Sequence, residues 1–185
     1  MSMAGLLLAA GAGRRMGGPK ALVRDDAGEP WLVRGVRALR EGGCDSVTVV
    51  LGAAATEAAV LLEGVDATSV LAPDWADGMG ASLRTGLSSL GPDVDCAVVS
   101  LVDLPDVGPE VVRRLRGLGA GPASLARAAY HGVPGHPVLL GRDHWDGVRE
   151  SATGDRGARD YLASRDVVLV ECGDLATGRD VDTPA

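Results

Sequence analysis

Phenylalanine is absent from the chain and the other aromatics are few, so Leu, Val and Ala must fill the core. The ring platforms on which a single-strand binder stacks bases are missing. Positive charge is also short: 18 Lys and Arg stand against 25 Asp and Glu, for a net charge of −7. That balance repels a polyanion over most of the surface and excludes general nucleic-acid binding, leaving an anionic ligand to find a local basic pocket. Cysteines number three, Cys44, Cys96 and Cys172, without C-x-x-C spacing. An odd, scattered set excludes a disulfide framework and suits reduced thiols in a cytoplasm. No apolar run is long enough to span a bilayer, and the apolar start at residues 3–12 lacks a basic n-region. Neither a membrane helix nor a signal peptide is expected, and the localisation expected is cytoplasmic. Ser/Gly linkers, charge blocks and fixed-period repeats are missing too, so nothing marks a boundary, and one domain over residues 1–185 is the expectation.

What is present is alternation. Short Val/Leu-rich runs at residues 4–10, 46–51, 68–71, 95–101 and 167–170 read as buried strands. Between them, residues 31–41, 54–62, 81–90, 109–118 and 156–163 carry helical periodicity. The pattern predicts a Rossmann-like, three-layer α/β/α fold with a mostly parallel sheet. Residues 120–145, rich in Gly and Pro, are read as an antiparallel excursion or a loop over the site. In open sheets of this kind ligands bind beyond the carboxyl ends of the strands, which directs the search to the segments just after each one.

The first such segment is "LLLAAGAGRRMGGPKAL". Gly11, Gly13, Gly17 and Gly18 let main-chain N–H groups approach a ligand, and Arg14, Arg15 and Lys20 concentrate positive charge on an acidic protein. A tight turn with solvated charges explains the same letters. Two familiar phosphate loops fail here on named residues. Met16 stands where a dinucleotide fingerprint needs glycine, and Leu51 and Gly52 stand where its ribose-binding acid belongs. A Walker loop needs G-K-[ST], whereas Pro19 precedes Lys20 and Ala21 follows it.

After the fourth run, "VDLPD" places Asp103 where a carboxylate can hold a hard cation, or serve as an ordinary turn residue. Asp106 suits the cap of the following helix as well as a metal. Ser82 reads as a helix N-cap, and Trp75 as a side chain packed on the sheet. His131, His136 and His144 are spaced too loosely for a zinc site. Asp155 can cap a helix, and Asp180 and Asp182 can be turn residues.

Taken together these segments resemble the nucleotidyltransferases that activate acceptors with an NTP, in particular the MobA-like molybdenum-cofactor branch. The first loop is similar to the signature L-A-A-G-x-G-x-R-M-G-x-x-K, "VDLP" to its D-x-P, and "RDVDTP" to its D-I-D-T-P or N-I-N-T-P ending. The resemblance implies a magnesium-dependent enzyme that moves an NMP from an NTP to a phosphorylated acceptor and releases pyrophosphate. It implies catalytic roles for Arg15, Lys20 and Asp103, and metal ligation by Asp103 with Asp182. It implies nucleotide binding by Leu8, Ala9, Ala10, Gly11, Gly13 and Arg14, joined by Gly80, Ser82 and Leu83. The acceptor would meet His136, in "GHPVL", and Asp180, with Arg156 or Arg159 able to meet its phosphate. Ala10 is similar to the cytidylyl form of the loop, which favours CTP over GTP and molybdopterin as acceptor, with a sugar phosphate as the alternative. A nicotinamide oxidoreductase and a non-catalytic nucleotide-binding regulator are the readings from other classes. The oligomeric state stays open.

Overall fold

The computed structural model describes residues 1–182, and its seven strands form one sheet in the order β3-β2-β1-β4-β6-β5-β7. These are β1 (Met3–Ala9), β2 (Ser46–Leu51), β3 (Thr68–Leu71), β4 (Cys96–Leu101), β5 (Leu125–Tyr130), β6 (Val133–Gly141) and β7 (Val168–Glu171). Only β6 runs against the others, paired antiparallel to β4 on one side and β5 on the other. The helices are α1 (Trp31–Glu41), α2 (Ala55–Leu61), α3 (Met79–Ser89), α4 (Pro109–Arg116), α5 (Trp145–Ser151) and α6 (Arg159–Ala163).

Strand β1 is buried along its whole length because it lies between β2 and β4 and is covered on both faces. Its alternate side chains feed two separate cores. Leu7 joins Leu32, Val36 and Leu39 of α1 and Val111 and Leu115 of α4 on one side. Leu6 and Leu8 join Leu83 and Leu87 of α3, Trp145 and Val148 of α5, and Leu162 of α6 on the other. The period-2 pleat thus serves helical layers on both faces, which makes the three-layer α/β/α sandwich. Each fully buried Leu or Val contributes roughly 1.5–3 kcal/mol of apolar burial.

The five runs read as strands all form strands, shifted by a residue at most. What sequence periodicity leaves unresolved is the hairpin β5–β6, and with it α5. The strand "LARAAY" lacks branched residues, and Pro134 and Pro137 fall inside β6. Pro137 falls in the register shift between Arg127 and Ala129, where the ladder is interrupted, and Pro134, paired with Ala129, lies on the part of β6 that does not reach β4, so its other edge needs no N–H donor. Residues 120–145 therefore enter the sheet rather than loop over the site. The chain runs from β1 to β2 on one side and from β3 back across to β4 on the other. The crevice so made lies beyond the carboxyl ends of β1 and β4.

Candidate functional site

The loop after β1 doubles back on itself. Gly13 O accepts hydrogen bonds from Met16 N–H at 2.9 Å and Gly18 N–H at 3.2 Å. Gly13 itself has φ +57°, and a Cβ built on it would lie 1.9 Å from Gly18 O. No L side chain fits that position. Met16, the residue that spoils the dinucleotide fingerprint, packs against the core beside α1. A 3-10 turn at Lys20–Leu22 then turns the Lys20 side chain inward, leaving it 15% exposed.

Lys20 Nζ donates to Asp103 Oδ2 at 2.7 Å and to Asp182 Oδ1 at 2.6 Å, and Arg15 Nη1 donates to Asp182 Oδ2 at 2.8 Å. Asp103 is carried by the loop after β4. Asp182 arrives from the far end of the chain, on a strap that leaves β7, crosses to β4 and bonds Val181 N–H to Asp103 O at 3.0 Å. Burial pulls the Lys20 pKa down, but the hydrogen bonds and charges of Asp103 and Asp182 outweigh it and hold the pKa above 10.5. The hydrogen bond and charge of Lys20, with the charge of Arg15, hold the Asp182 carboxyl below the usual range.

Oxygen atoms of Asp103, Asp180 and Asp182 all lie within 4.8 Å of one another, the only such acidic or histidine group among the described residues. Asp103 Oδ1 is buried with no hydrogen-bond partner. A buried carboxylate oxygen left unpaired is costly, and a hard cation satisfies it. The donor set, all carboxylate oxygen beside a basic loop, fits magnesium or manganese.

Two of these carboxylates, Asp103 and Asp182, share one open cleft of about 510 Å³ with the loop, while Asp180 stands outside its lining. Leu8, Ala9, Ala10, Gly11, Gly13, Arg14, Arg15, Lys20, Ser82, Asp103 and Asp182 line it. Gly80 and Leu83 do not. Gly80 is pressed against the Ala152–Thr153 backbone, where a Cβ would come within 2.8 Å, and Leu83 turns into the core. Helical geometry separates them, since one α3 face meets the cleft while the residues beside it meet the sheet and the neighbouring chain. Ser82 lies inside the first turn rather than at the cap, because α3 starts at Met79, with Gly78 before it.

His136 lies in β6 outside the cleft lining. Desolvation and the charges of Arg127 and Arg159 push its pKa down to about 4, with Asp180 acting the other way. Its carbonyl accepts from Tyr130 Oη–H at 2.6 Å. His131 closes the β5–β6 hairpin, and His144 meets Tyr161 Oη and Ala123 O. Arg156 pairs with Asp160. Asp106 caps no helix, since α4 follows Gly108 and the Asp106 carboxylate binds Thr177 instead. Asp155 is likewise no cap, for α6 begins only at Arg159. Of the ending "RDVDTP", Thr183 and Pro184 lie outside the described residues.

The cleft has further contributors that the predicted site residues leave out. Trp75 both packs on the α3 side and lines the cleft, with Gly78, Met79 and Asp155. Gly52 explains why no acid follows β2: a Cβ there would sit 2.5 Å from Ala10 O and 2.7 Å from the Trp75 ring. The doubled glycines of "GDRG" are the signal that could have directed attention to Asp155, since they bracket a turn beside Gly78.

Comparison with known proteins places this geometry among relatives. The model of the MobA-like NTP transferase domain matches residues 5–168. The chain is 35% identical to nicotine blue oxidoreductase of Paenarthrobacter nicotinovorans, covering 97% of this chain and 91% of that protein. It superposes on the crystal structure of Rv0371c from Mycobacterium tuberculosis H37Rv with a TM-score of 0.80 and 27% identity, covering 99% and 94% of the two chains. A second structure of Rv0371c, a complex with manganese, gives 0.78 and 26%, covering 98% and 94%. For molybdopterin-guanine dinucleotide biosynthesis protein A of Archaeoglobus fulgidus the values are 0.71 and 21%, covering 98% and 93%, a likeness of fold.

Proposed function

The chain belongs to the MobA-like NTP transferase domain family, and from that premise we propose that it is a magnesium-dependent nucleotidyltransferase. It moves a nucleoside monophosphate from an NTP to a phosphorylated acceptor. The observation that carries this reading is the junction, in one nucleotide-sized cleft, of a basic glycine loop with Asp103 and Asp182, to which the Asp180 carboxylate is clustered.

Main-chain amides of residues 11–18, with Arg15 and Lys20, hold the triphosphate and spread its charge. An acceptor phosphate oxygen attacks the α-phosphorus, a new P–O bond forms, the bond to the β-phosphate oxygen breaks, and pyrophosphate leaves. No side chain need become covalently attached, so the residues act by positioning and charge. Asp103 and Asp182, with Asp180 beside them, would hold magnesium, which when bound offsets charge on the phosphates. That Rv0371c forms a complex with manganese supports a divalent ion for this chain as well. Gly11, Gly13 and Ser82 would border the nucleotide, and His136 and Asp180 the acceptor.

Ala10, in its cytidylyl-like loop, favours CTP, with molybdopterin as acceptor. GTP or a sugar-phosphate acceptor is the alternative within the class. A second reading, oxidoreductase chemistry, is favoured by the name of the 35% identical relative. Against a nicotinamide site stand Met16, half-buried against the core, and Gly52, with no room for the ribose-binding acid.

The test is to incubate the protein with magnesium, each NTP in turn, and molybdopterin or a panel of phosphorylated acceptors, measuring pyrophosphate, with a parallel assay for nicotinamide oxidation. Pyrophosphate release dependent on CTP and acceptor is expected. Nicotinamide turnover without pyrophosphate would overturn the reading, and activity surviving in Lys20→Ala and Asp103→Ala would overturn the site.

A further inference from the structure

Two of the three clustered carboxylates, Asp180 and Asp182, ride on the strap that follows β7, and a strap places ligands only as well as it is held. Residues 177–182 belong to no helix or strand. Up to Val181, this segment is tied to the rest of the molecule by few hydrogen bonds among the described residues. Val181 N–H reaches Asp103 O at 3.0 Å. The other tie is Asp106, whose Oδ2 accepts both Thr177 N–H and Thr177 Oγ1–H, each at 2.6 Å. Thr177 Oγ1 in turn accepts from Arg179 N–H at 3.4 Å, which stiffens the turn leading to Asp180.

Asp103 and Asp106 stand on one short loop, between β4 and α4. That loop therefore supplies one carboxylate of the cluster and clasps, at two points, the segment that supplies the other two. Once the path through β5, β6 and β7 has carried the strap back to β4, the spacing among the three carboxylates is held by this local unit together with Lys20 and Arg15 on Asp182. Outer groups that orient metal ligands typically change metal affinity 10- to 100-fold when removed.

We propose that Asp106 is a positioning residue of the acidic centre, which through Thr177 holds the strap so that Asp180 and Asp182 reach Asp103. This rests on the reading of Asp103, Asp180 and Asp182 as a divalent-cation centre. Because both bonds to Thr177 need an acceptor oxygen and not a negative charge, an asparagine at 106 can replace the carboxylate.

The test is Mn²⁺ affinity of the purified full chain without nucleotide, by electron paramagnetic resonance of free Mn²⁺, together with amide hydrogen exchange at Val181. Asp106→Ala should weaken Mn²⁺ binding about 10-fold and speed Val181 exchange. Asp106→Asn and Thr177→Ser should stay close to the unaltered chain, and Thr177→Val, which keeps the N–H bond, should fall between. Unchanged affinity in Asp106→Ala, or a loss in Asp106→Asn as large as that in Asp106→Ala, overturns the proposal. If the unaltered chain binds no Mn²⁺, the cation-centre reading itself fails, and the inference with it. Should Asp106→Ala fail to fold, the comparison of Asp106→Asn with Thr177→Val decides.

Discussion

Lys20 and Asp103 form an ion pair at 2.7 Å in which both side chains are largely buried, 15% and 17% exposed, and the same ammonium also reaches Asp182 at 2.6 Å. The ammonium thus neutralises the carboxylates assigned to a divalent cation. On the proposed reading, a cation approaching the nucleotide-free protein must compete with it, and a bound triphosphate would draw it away.

Replacing Lys20 with Met should therefore separate two properties that a simple loss of function would move together. Removing a positive charge about 4 Å from a divalent cation is worth about 2 kcal/mol even with water-like screening, so Mn²⁺ binding to the nucleotide-free protein should tighten roughly 30-fold. Pyrophosphate release should meanwhile fall roughly 100-fold. Calorimetric titration with Mn²⁺ checks the first and a turnover assay the second. Weaker Mn²⁺ binding would refute the competition.

The loop makes unequal demands on its glycines. At Gly13 a Cβ would collide with Gly18 O, while at Gly11 nothing lies within 4 Å. Gly13→Ala is expected to unfold the loop and abolish NTP binding, with Tm lowered by a strain of at least about 1–3 kcal/mol. Gly11→Ala should leave Tm unchanged. Thermal melts of the two variants side by side are the measurement.

On α3, Ser82 and Leu83 should divide the effects of substitution. Leu83→Ala opens a core cavity and should cost about 2–5 kcal/mol in denaturant unfolding, with KM for NTP unchanged. Ser82→Ala should raise that KM with a far smaller loss of stability. A raised KM in Leu83→Ala at full stability would return that residue to the nucleotide site.

His136 gives an acid-side dependence of stability. Its folded pKa, about 4, lies below the ordinary 6.5, through desolvation and the facing Arg127 and Arg159, with Asp180 opposing. The unfolded chain therefore binds the proton more readily than the folded one. Its contribution is intact above 6.5 and is lost as pH falls toward 4, by at most about 3 kcal/mol. Urea unfolding across that window should show a shallower slope for His136→Gln.

The alternation of apolar runs with helical periods was enough to place five strands and the α/β class, because a parallel sheet covered on both faces leaves continuous Val/Leu runs in the chain. The glycine loop proposed to hold phosphate stands out for a similar local reason: its glycines, Arg15, Met16 and Lys20 are neighbours in sequence, and Pro19 with Ala21 already separates it from Walker chemistry. Asp103 was legible as an acid after a strand. The hairpin β5–β6 was legible only as one of two alternatives, an antiparallel excursion or a loop, since "LARAAY" has the composition of no particular element and Pro137 becomes acceptable only at a register shift that pairing itself creates.

What the tertiary structure alone decided is which distant residues share the site. Local sequence cannot tell that Ser82 faces the cleft while Leu83, the next residue, faces the core, for that depends on how α3 is rotated against the sheet. Nor can it tell that Asp106 serves a strap from the far end of the chain rather than a helix cap. Asp180 and Asp182 meet Asp103 because β7 joins the sheet beside β5 and sends the chain back across the strand ends to β4. Such meetings are set by chain path and packing, and no short window of residues encodes them.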